Sequence, residues 1–381
     1  GRGTPQCRRR VFDVRRGPLL AAHVLRLPGA RTQLILNAHH LVTDGWSTPI
    51  VLRELVHLYN HGATGLPIAP DYADFLRWLA RLDRDALHVA WRRRLEGMTE
   101  PTLVARGEGT AEHPVATEIT VDDALGARLA EAARENGLTV NTFVQGAWSA
   151  VLSALVGRGD VVFGTTVSGR PADLARVETM VGLFSNTVPV RMRMDDRPLR
   201  EVLQDSQREQ YDLGDAEHLP LSEIETCSTV RGRTGLFDTL VVFENYPARF
   251  GADSADSGDS THIIGIGNIS TTQYPLSLLA PPGDRFRLVV DHDPVVVDGR
   301  TAEMVAAALP IVIAEMIEDL DRPAAEFVPD TIEMLPARSI APRVLRPRVR
   351  RTSWTLSRRG WVRFSRPRCY RTTTSSIAVG T

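Results

Sequence analysis

The chain has 381 residues, 43% of them apolar, enough for two lobes with a proper core. Its formal net charge of −1 hides two unlike parts: from residue 338 onward there are 12 arginines and no acids, which leaves 33 arginines against 46 acids before it, a net of −13. An acidic body argues against a nucleic-acid binder, the lack of any run of about eighteen apolar residues argues against a membrane-spanning helix, and three cysteines far apart (Cys7, Cys227, Cys369) argue against a cysteine zinc cage and for a cytoplasmic, reducing setting.

In chain order, residues 20–40 read as two strands joined by a turn at Pro28 and Gly29. Ser47 is placed to cap a helix with Pro49 in its first turn, and Leu52, Leu55, Val56 and Tyr59 follow at helical spacing. Residues 71–98 read as one or two amphipathic helices. Residues 102–114 lack periodic apolar positions and read as a crossover linker. A strand follows over 113–121, a helix ending at Gly137, and a helix over 139–157 whose apolar residues circle it, so it is expected to be buried. Residues 160–171 form a strand leaving through a Gly-Arg-Pro turn, 186–194 an alternating strand, 197–213 a helix, and 237–247 and 286–294 further strands. Residues 251–260 read as a flexible acidic loop, and 299–320 as a closing helix bent at Pro310. The arginine-rich tail shows no steady period. It reads as a basic arm for RNA or an acidic partner, or as a disordered or foreign segment; the abrupt change of composition favours the second. There is no internal repeat. Strands and helices mixed in two segments predict an α/β or α+β architecture with two lobes.

The stretch NAHHLVTDGWS (37–47) concentrates the chemistry. If residues 33–40 form a strand, His40 shares a face with Leu34, Leu36 and Ala38, and His39 lies opposite. The two rings then do not converge on one ion, a helical HExxH is absent, and no metal site is expected. The alternation in DHD (291–293) argues the same way, and GIGNIS (265–270) lacks the full glycine fingerprint of a nucleotide loop. Two readings remain. One is a buried, satisfied core histidine. The other joins a histidine, a fixed carboxylate at Asp44, a close-approach glycine at Gly45 and a helix N-terminus, a set suited to general-base work with an oxyanion nearby. The residues alone leave these two open.

HHLVTDGWS resembles the HHxxxDG signature of condensation domains from nonribosomal peptide synthetases, relatives of chloramphenicol acetyltransferase. DYADFLRW (71–78), VSGRP (167–171), MVGLFSNTVPVR (180–191), EHLPLSEI (217–224), RTGLFDTLVVFENYP (233–247) and QYPLSLLAPPGDRFRLVVDHDP (273–294) resemble further motifs of that family, in its order, over about residues 11–335. In the family a longer N-terminal segment precedes the histidine motif, so the resemblance implies an incomplete N-lobe here.

The implied fold is two chloramphenicol acetyltransferase-like lobes arranged in a V. Residues 1–108 would carry the end of the N-lobe, 109–335 the C-lobe and 336–381 the basic tail. The implied reaction is amide formation: the amine of an acceptor aminoacyl thioester attacks a donor acyl or peptidyl thioester. Both are held on peptidyl or acyl carrier proteins beside a neighbouring adenylation domain or module. Phosphopantetheine would come from those carriers, with no cofactor bound by this chain and no nucleic-acid or membrane partner.

The resemblance makes His40 the group touching the amine, as base or as orienting partner. It makes Asp44 a structural carboxylate with Arg170 as one partner, and it turns the Gly45 amide towards the oxyanion. His39 is expected to be structural. Asn186 lies near the tunnel or caps a strand turn, and Trp46 is a packing anchor or a substrate platform. The alternatives are an inactive domain that only docks carriers, or an ester-forming or epimerising relative; DGWS leans towards condensation. No GxSxG nucleophile motif is present.

Overall fold

A computed structural model describes residues 12–28, 31–107, 111, 114–119, 121–230, 235–244, 262–269, 272–281, 283, 285–330, 332 and 372–380. Among these, the strands form two sheets. The first is a hairpin extended by two distant strands. β1 (Leu20–Leu27) pairs antiparallel with β2 (Arg31–His39), Leu20 opposite Ala38 and Leu27 opposite Arg31. β10 (Thr372–Gly380) lies between β2 and β7 (His262–Ile269), antiparallel to both, with Thr372 opposite His39. β10 carries none of the tail's arginines. The remainder of the tail, residues 336–371 and 381, and the acidic loop at 251–260 lie outside the described residues. GIGNIS falls within and just past β7, so Gly265 and Gly267 belong to a strand and not to a phosphate-cradling turn.

The second sheet runs β3 (Val115–Ile119), β9 (Leu288–His292), β8 (Leu276–Ala280), β6 (Thr239–Phe243), β4 (Asp160–Val167), β5 (Asn186–Arg193). β4 and β5 pair antiparallel through eight residues, from Asp160 opposite Arg193 to Val167 opposite Asn186. β6 and β8 run parallel through five. Between them, β4 and β6 are in register at only two positions, Gly164 with Leu240 and Thr165 with Val241.

Helices begin where the sequence offers side-chain acceptors. Asp71 caps α2 (Tyr72–Leu79), Asp83 caps α3 (Arg84–Arg94), Asp122 caps α4 (Asp123–Glu135), Thr139 caps α5 (Val140–Val156) and Asp298 caps α8 (Gly299–Glu318), each accepting from one or two of the first amides. α6 (Leu199–Asp212) and the short α7 (Leu221–Ile224) lack such a cap and start after prolines. α1 (Ser47–His61) departs from expectation. Ser47 is its first residue and not its cap, and the Asp44 carboxylate accepts the Ser47 amide at 2.8 Å. Downstream, Ile50 and Leu52 are buried, while Leu55, Leu58 and Tyr59 are exposed.

The main core lies between the second sheet and helices α4, α5, α6 and α8. Phe143, Trp148 and Leu152 of α5 meet Phe163 of β4, Leu278 of β8, Leu203 of α6 and Leu309 of α8, all fully buried. The expectation that α5 is buried nearly all round holds, because it packs against α4, α6, α8 and the sheet. A second cluster forms where α3 packs on the 214–227 turns: Trp91 is fully buried and its indole N–H donates to the Ala216 carbonyl at 2.8 Å. Pro310 lies inside α8. Among the described residues no helix is long and apolar enough to cross a membrane. Leu309→Ala is expected to lower stability by about 2–5 kcal/mol, since it opens a cavity among close-packed side chains; the shift of the urea midpoint measures it.

Candidate active site

β2 ends at His39, and the chain turns at once into a short 3-10 segment, His40–Val42. The alternation of the strand is visible up to that point: Ile35, Asn37 and His39 are buried, with Leu34, Leu36 and Ala38 between them half-buried. His40 belongs to the turn and not to the strand, and it is exposed. His39 is 4% exposed, and its Nδ1 accepts the Leu41 amide at 3.1 Å. Burial, with a smaller contribution from His40, pushes the His39 pKa down. An Nδ1 that accepts a backbone N–H leaves the neutral ring's proton on Nε2.

Four residues past His40, the Asp44 side chain is fully buried and its oxygens are surrounded by donors. Oδ1 accepts from the Ser47 amide and hydroxyl, both at 2.8 Å, and from Arg170 Nη2 at 3.3 Å; Oδ2 accepts the Phe184 amide at 3.1 Å. Arg170 is thus the partner of Asp44, with 6% of its side chain exposed. Its Nη1 donates to the carbonyls of Val177 and Met180, and the guanidinium lies 4.0 Å above the Phe184 ring. Burial lowers the Arg170 pKa, and Asp44 opposes that shift.

Arg170 reaches this place because Gly169 turns with φ +59°; a Cβ there would stand 1.9 Å from the Phe184 carbonyl oxygen. Gly182 is equally constrained, since its Cβ would meet the Tyr72 ring at 2.2 Å. The Tyr72 hydroxyl donates to the Leu183 carbonyl, and its pKa is raised by burial and by Asp44. Three distant segments therefore converge on one carboxylate: the histidine turn, the arginine after β4 and the 180–184 loop before β5.

The other expected positions fall around this centre. Gly45 is exposed and is not among the glycines with positive φ. Trp46 is half-buried at the start of α1. The Asn186 amide donates to the Glu217 and Leu219 carbonyls at 2.7 and 2.9 Å, and its oxygen accepts the Thr187 amide, so it pins the 217–219 turn to β5. In that turn the His218 side chain is 4% exposed, with its ring edge-on to Trp78 at 4.8 Å. Burial pushes its pKa down, opposed by Asp215 and Asp173. Among the described residues no group of three or more His, Cys, Asp or Glu side chains gathers as metal ligands would. Ser47, Tyr72, Gly182 and Phe184 hold the centre together, and the sequence does not mark them as site residues. Tyr72 and Gly182 stand inside motifs, and only the fold reveals that they meet.

A family model described as the condensation domain matches residues 5–332. The chain belongs to the condensation-domain family. It is 38% identical over 305 residues to a component of the linear gramicidin synthase of Brevibacillus parabrevis, a match covering 75% of this chain and 6% of that relative. It is 33% identical over 315 residues to a vanchrobactin synthetase of Vibrio anguillarum, covering 81% of this chain and 11% of that relative. The condensation domain thus spans a small fraction of the length of either. Its fold is similar to the X-domain from teicoplanin biosynthesis, with TM-score 0.69, 21% identity and coverage of 84% of this chain and 76% of that one. The mixed sheet-and-helix architecture is that of the chloramphenicol acetyltransferase-like fold.

Two outcomes follow from the geometry. Asp44→Ala leaves the Arg170 guanidinium buried without its carboxylate and is expected to destabilise the domain by about 3–5 kcal/mol, read from denaturant titration. His218, with its folded pKa below the unfolded value, makes the unfolded chain the first to bind the proton. Stability should therefore fall as pH drops through about 6.5. The urea midpoint, followed downward through that pH, should fall less steeply in His218→Phe than in the native chain.

Proposed function

We propose that this condensation domain joins a donor acyl or peptidyl thioester to the amine of an acceptor aminoacyl thioester. The amine nitrogen bonds to the donor carbonyl carbon, a tetrahedral oxyanion forms, and its collapse breaks the carbon–sulfur bond. The donor chain passes to the acceptor, and a thiol is released. One proton must leave the attacking nitrogen and one must reach the departing sulfur. The observation that carries this reading is the contrast between the two histidines. His39 is buried, with Nδ1 committed to a backbone amide, whereas His40 is exposed at the start of a turn locked by Asp44 and Arg170. Imidazole is the side-chain group best matched to proton transfer near neutral pH, and an exposed one can reach a substrate.

In this reading Asp44 stays an acceptor for four donors and shapes the turn, without taking a substrate proton. Gly45, exposed beside the histidine turn, leaves room for close approach of the reacting groups, and its amide is the candidate oxyanion donor. Arg170 and Asn186 act as supports for the walls, because their donors are directed at protein groups. Trp46 is the remaining candidate for substrate contact. The partners are a donor and an acceptor carrier protein, which supply the thioesters on phosphopantetheine arms, within a module that also holds an adenylation domain. The setting is the cytoplasm, in keeping with the scattered cysteines.

The test supplies both loaded carriers to the native chain and to His40→Ala. A peptide product from the native chain, reduced by about 100-fold or more in the variant, is the expected result. Equal product from the two would remove His40 from the reaction. No product from the folded native chain, with carrier binding retained, would leave a docking role instead. Product only with a hydroxyl acceptor would make it an ester-forming relative.

A further inference from the structure

We propose that Ser47 is a positioning residue for the His40 turn. Its buried hydroxyl is the shared node that locks the histidine motif onto the loop before β5. The proposal rests on the condensation reading for its kinetic readout and stands apart from it for its spectroscopic one.

Ser47 is fully buried. Its Oγ lies 2.8 Å from Asp44 Oδ1, 2.9 Å from the Gly182 carbonyl oxygen, 3.0 Å from the Gly182 amide nitrogen and 3.3 Å from Arg170 Nη2. A hydroxyl has one proton and two lone pairs. The Gly182 amide and the Arg170 guanidinium are donors and fill the two lone pairs. The single proton is left to choose between Asp44 Oδ1 and the Gly182 carbonyl, and the charge on Asp44 favours the carboxylate. Every bonding capacity of this oxygen is therefore used, and Arg170 and Gly182 lie 123 and 135 residues away in the chain.

Gly182 is closed in by the Tyr72 ring, which a Cβ would meet at 2.2 Å, so the loop has little freedom to move sideways and find new partners. Removing the hydroxyl strands the Gly182 amide and one Arg170 N–H in a dry place. The effect on His40 passes through the chain. The His40–Val42 turn is fastened upstream by His39 Nδ1 to the Leu41 amide and downstream by Asp44. Ser47 contributes both its amide and its hydroxyl to Asp44, so losing the hydroxyl loosens the downstream fastening while leaving His40 and Asp44 chemically intact.

The experiment compares Ser47→Ala, Ser47→Thr and the core variant Leu309→Ala with the native chain. It measures kcat and KM with loaded carriers, and the His40 ring resonances by NMR on histidine-labelled protein, assigned with His40→Ala. Ser47→Ala is expected to lower kcat by about 10- to 100-fold with KM within about twofold, and to shift the His40 resonances. Ser47→Thr, which keeps the hydroxyl, should recover most of both. Leu309→Ala should lose stability while its His40 resonances stay at their native positions. Native kcat and native His40 resonances in folded Ser47→Ala would overturn the proposal, as would an equal shift in Leu309→Ala. If Ser47→Ala does not fold, Ser47→Cys, with its weaker donor, takes its place under the same criteria. A native chain that makes no product would count against the condensation reading, while the NMR comparison would still decide the role of Ser47.

Discussion

The ion pair between Asp44 and Arg170 is the constraint around which the site is arranged. Both side chains are almost wholly withdrawn from water. A lone charge in such a place would be very unfavourable, and the attraction between the two offsets that penalty only when the remaining bonding positions are also filled. Here they are filled by backbone. The carboxylate takes the amides of Ser47 and Phe184, and the guanidinium gives to the carbonyls of Val177 and Met180. The pair is therefore poor as a source of net stability and strong as a specifier of arrangement. It fixes where the end of the first sheet's second strand meets the loops at the end of β4 and the start of β5.

That arrangement divides labour between two adjacent residues of one type. His39 continues the strand's inward row, loses water and keeps its ring neutral, with one nitrogen tied to the next turn. His40 begins that turn and keeps its water. A single step of the backbone from strand to 3-10 geometry separates a structural imidazole from one able to meet a substrate. Had the strand run one residue further, alternation would have faced His40 with the half-buried row of Leu34, Leu36 and Ala38.

Much of this is legible in the chain itself. Strand alternation and the buried character of residues 140–156 are local signals, and the elements follow them. Arg170 enters as one partner of Asp44 through the family resemblance of VSGRP alone, and the fold brings the two together across 126 residues of chain. Ser47 misleads: a serine before an apolar periodic run looks like a helix cap, and only the tertiary fold shows its hydroxyl turned towards Asp44 and Gly182 while Asp44 accepts the first helix amide. Tyr72 and Gly182 are far apart in the chain, and no local pattern records that one ring fills the space a side chain would need. The strand at 372–380 is equally invisible in the sequence, because pairing with β2 and β7 depends on edges made elsewhere.

The two-residue register between β4 and β6 has a mechanical consequence. Backbone bonding there is sparse compared with the eight-residue register of β4 with β5 and the five-residue register of β6 with β8. If the sheet splays, this seam parts first, and it parts with β4 and β5 moving together as one leaf. That leaf carries Arg170 at one end of β4 and Phe184 just ahead of β5, both attached to Asp44. Arg170 and Phe184 thus join that leaf to Asp44, so any splaying at this seam would pull on the tether of the histidine turn.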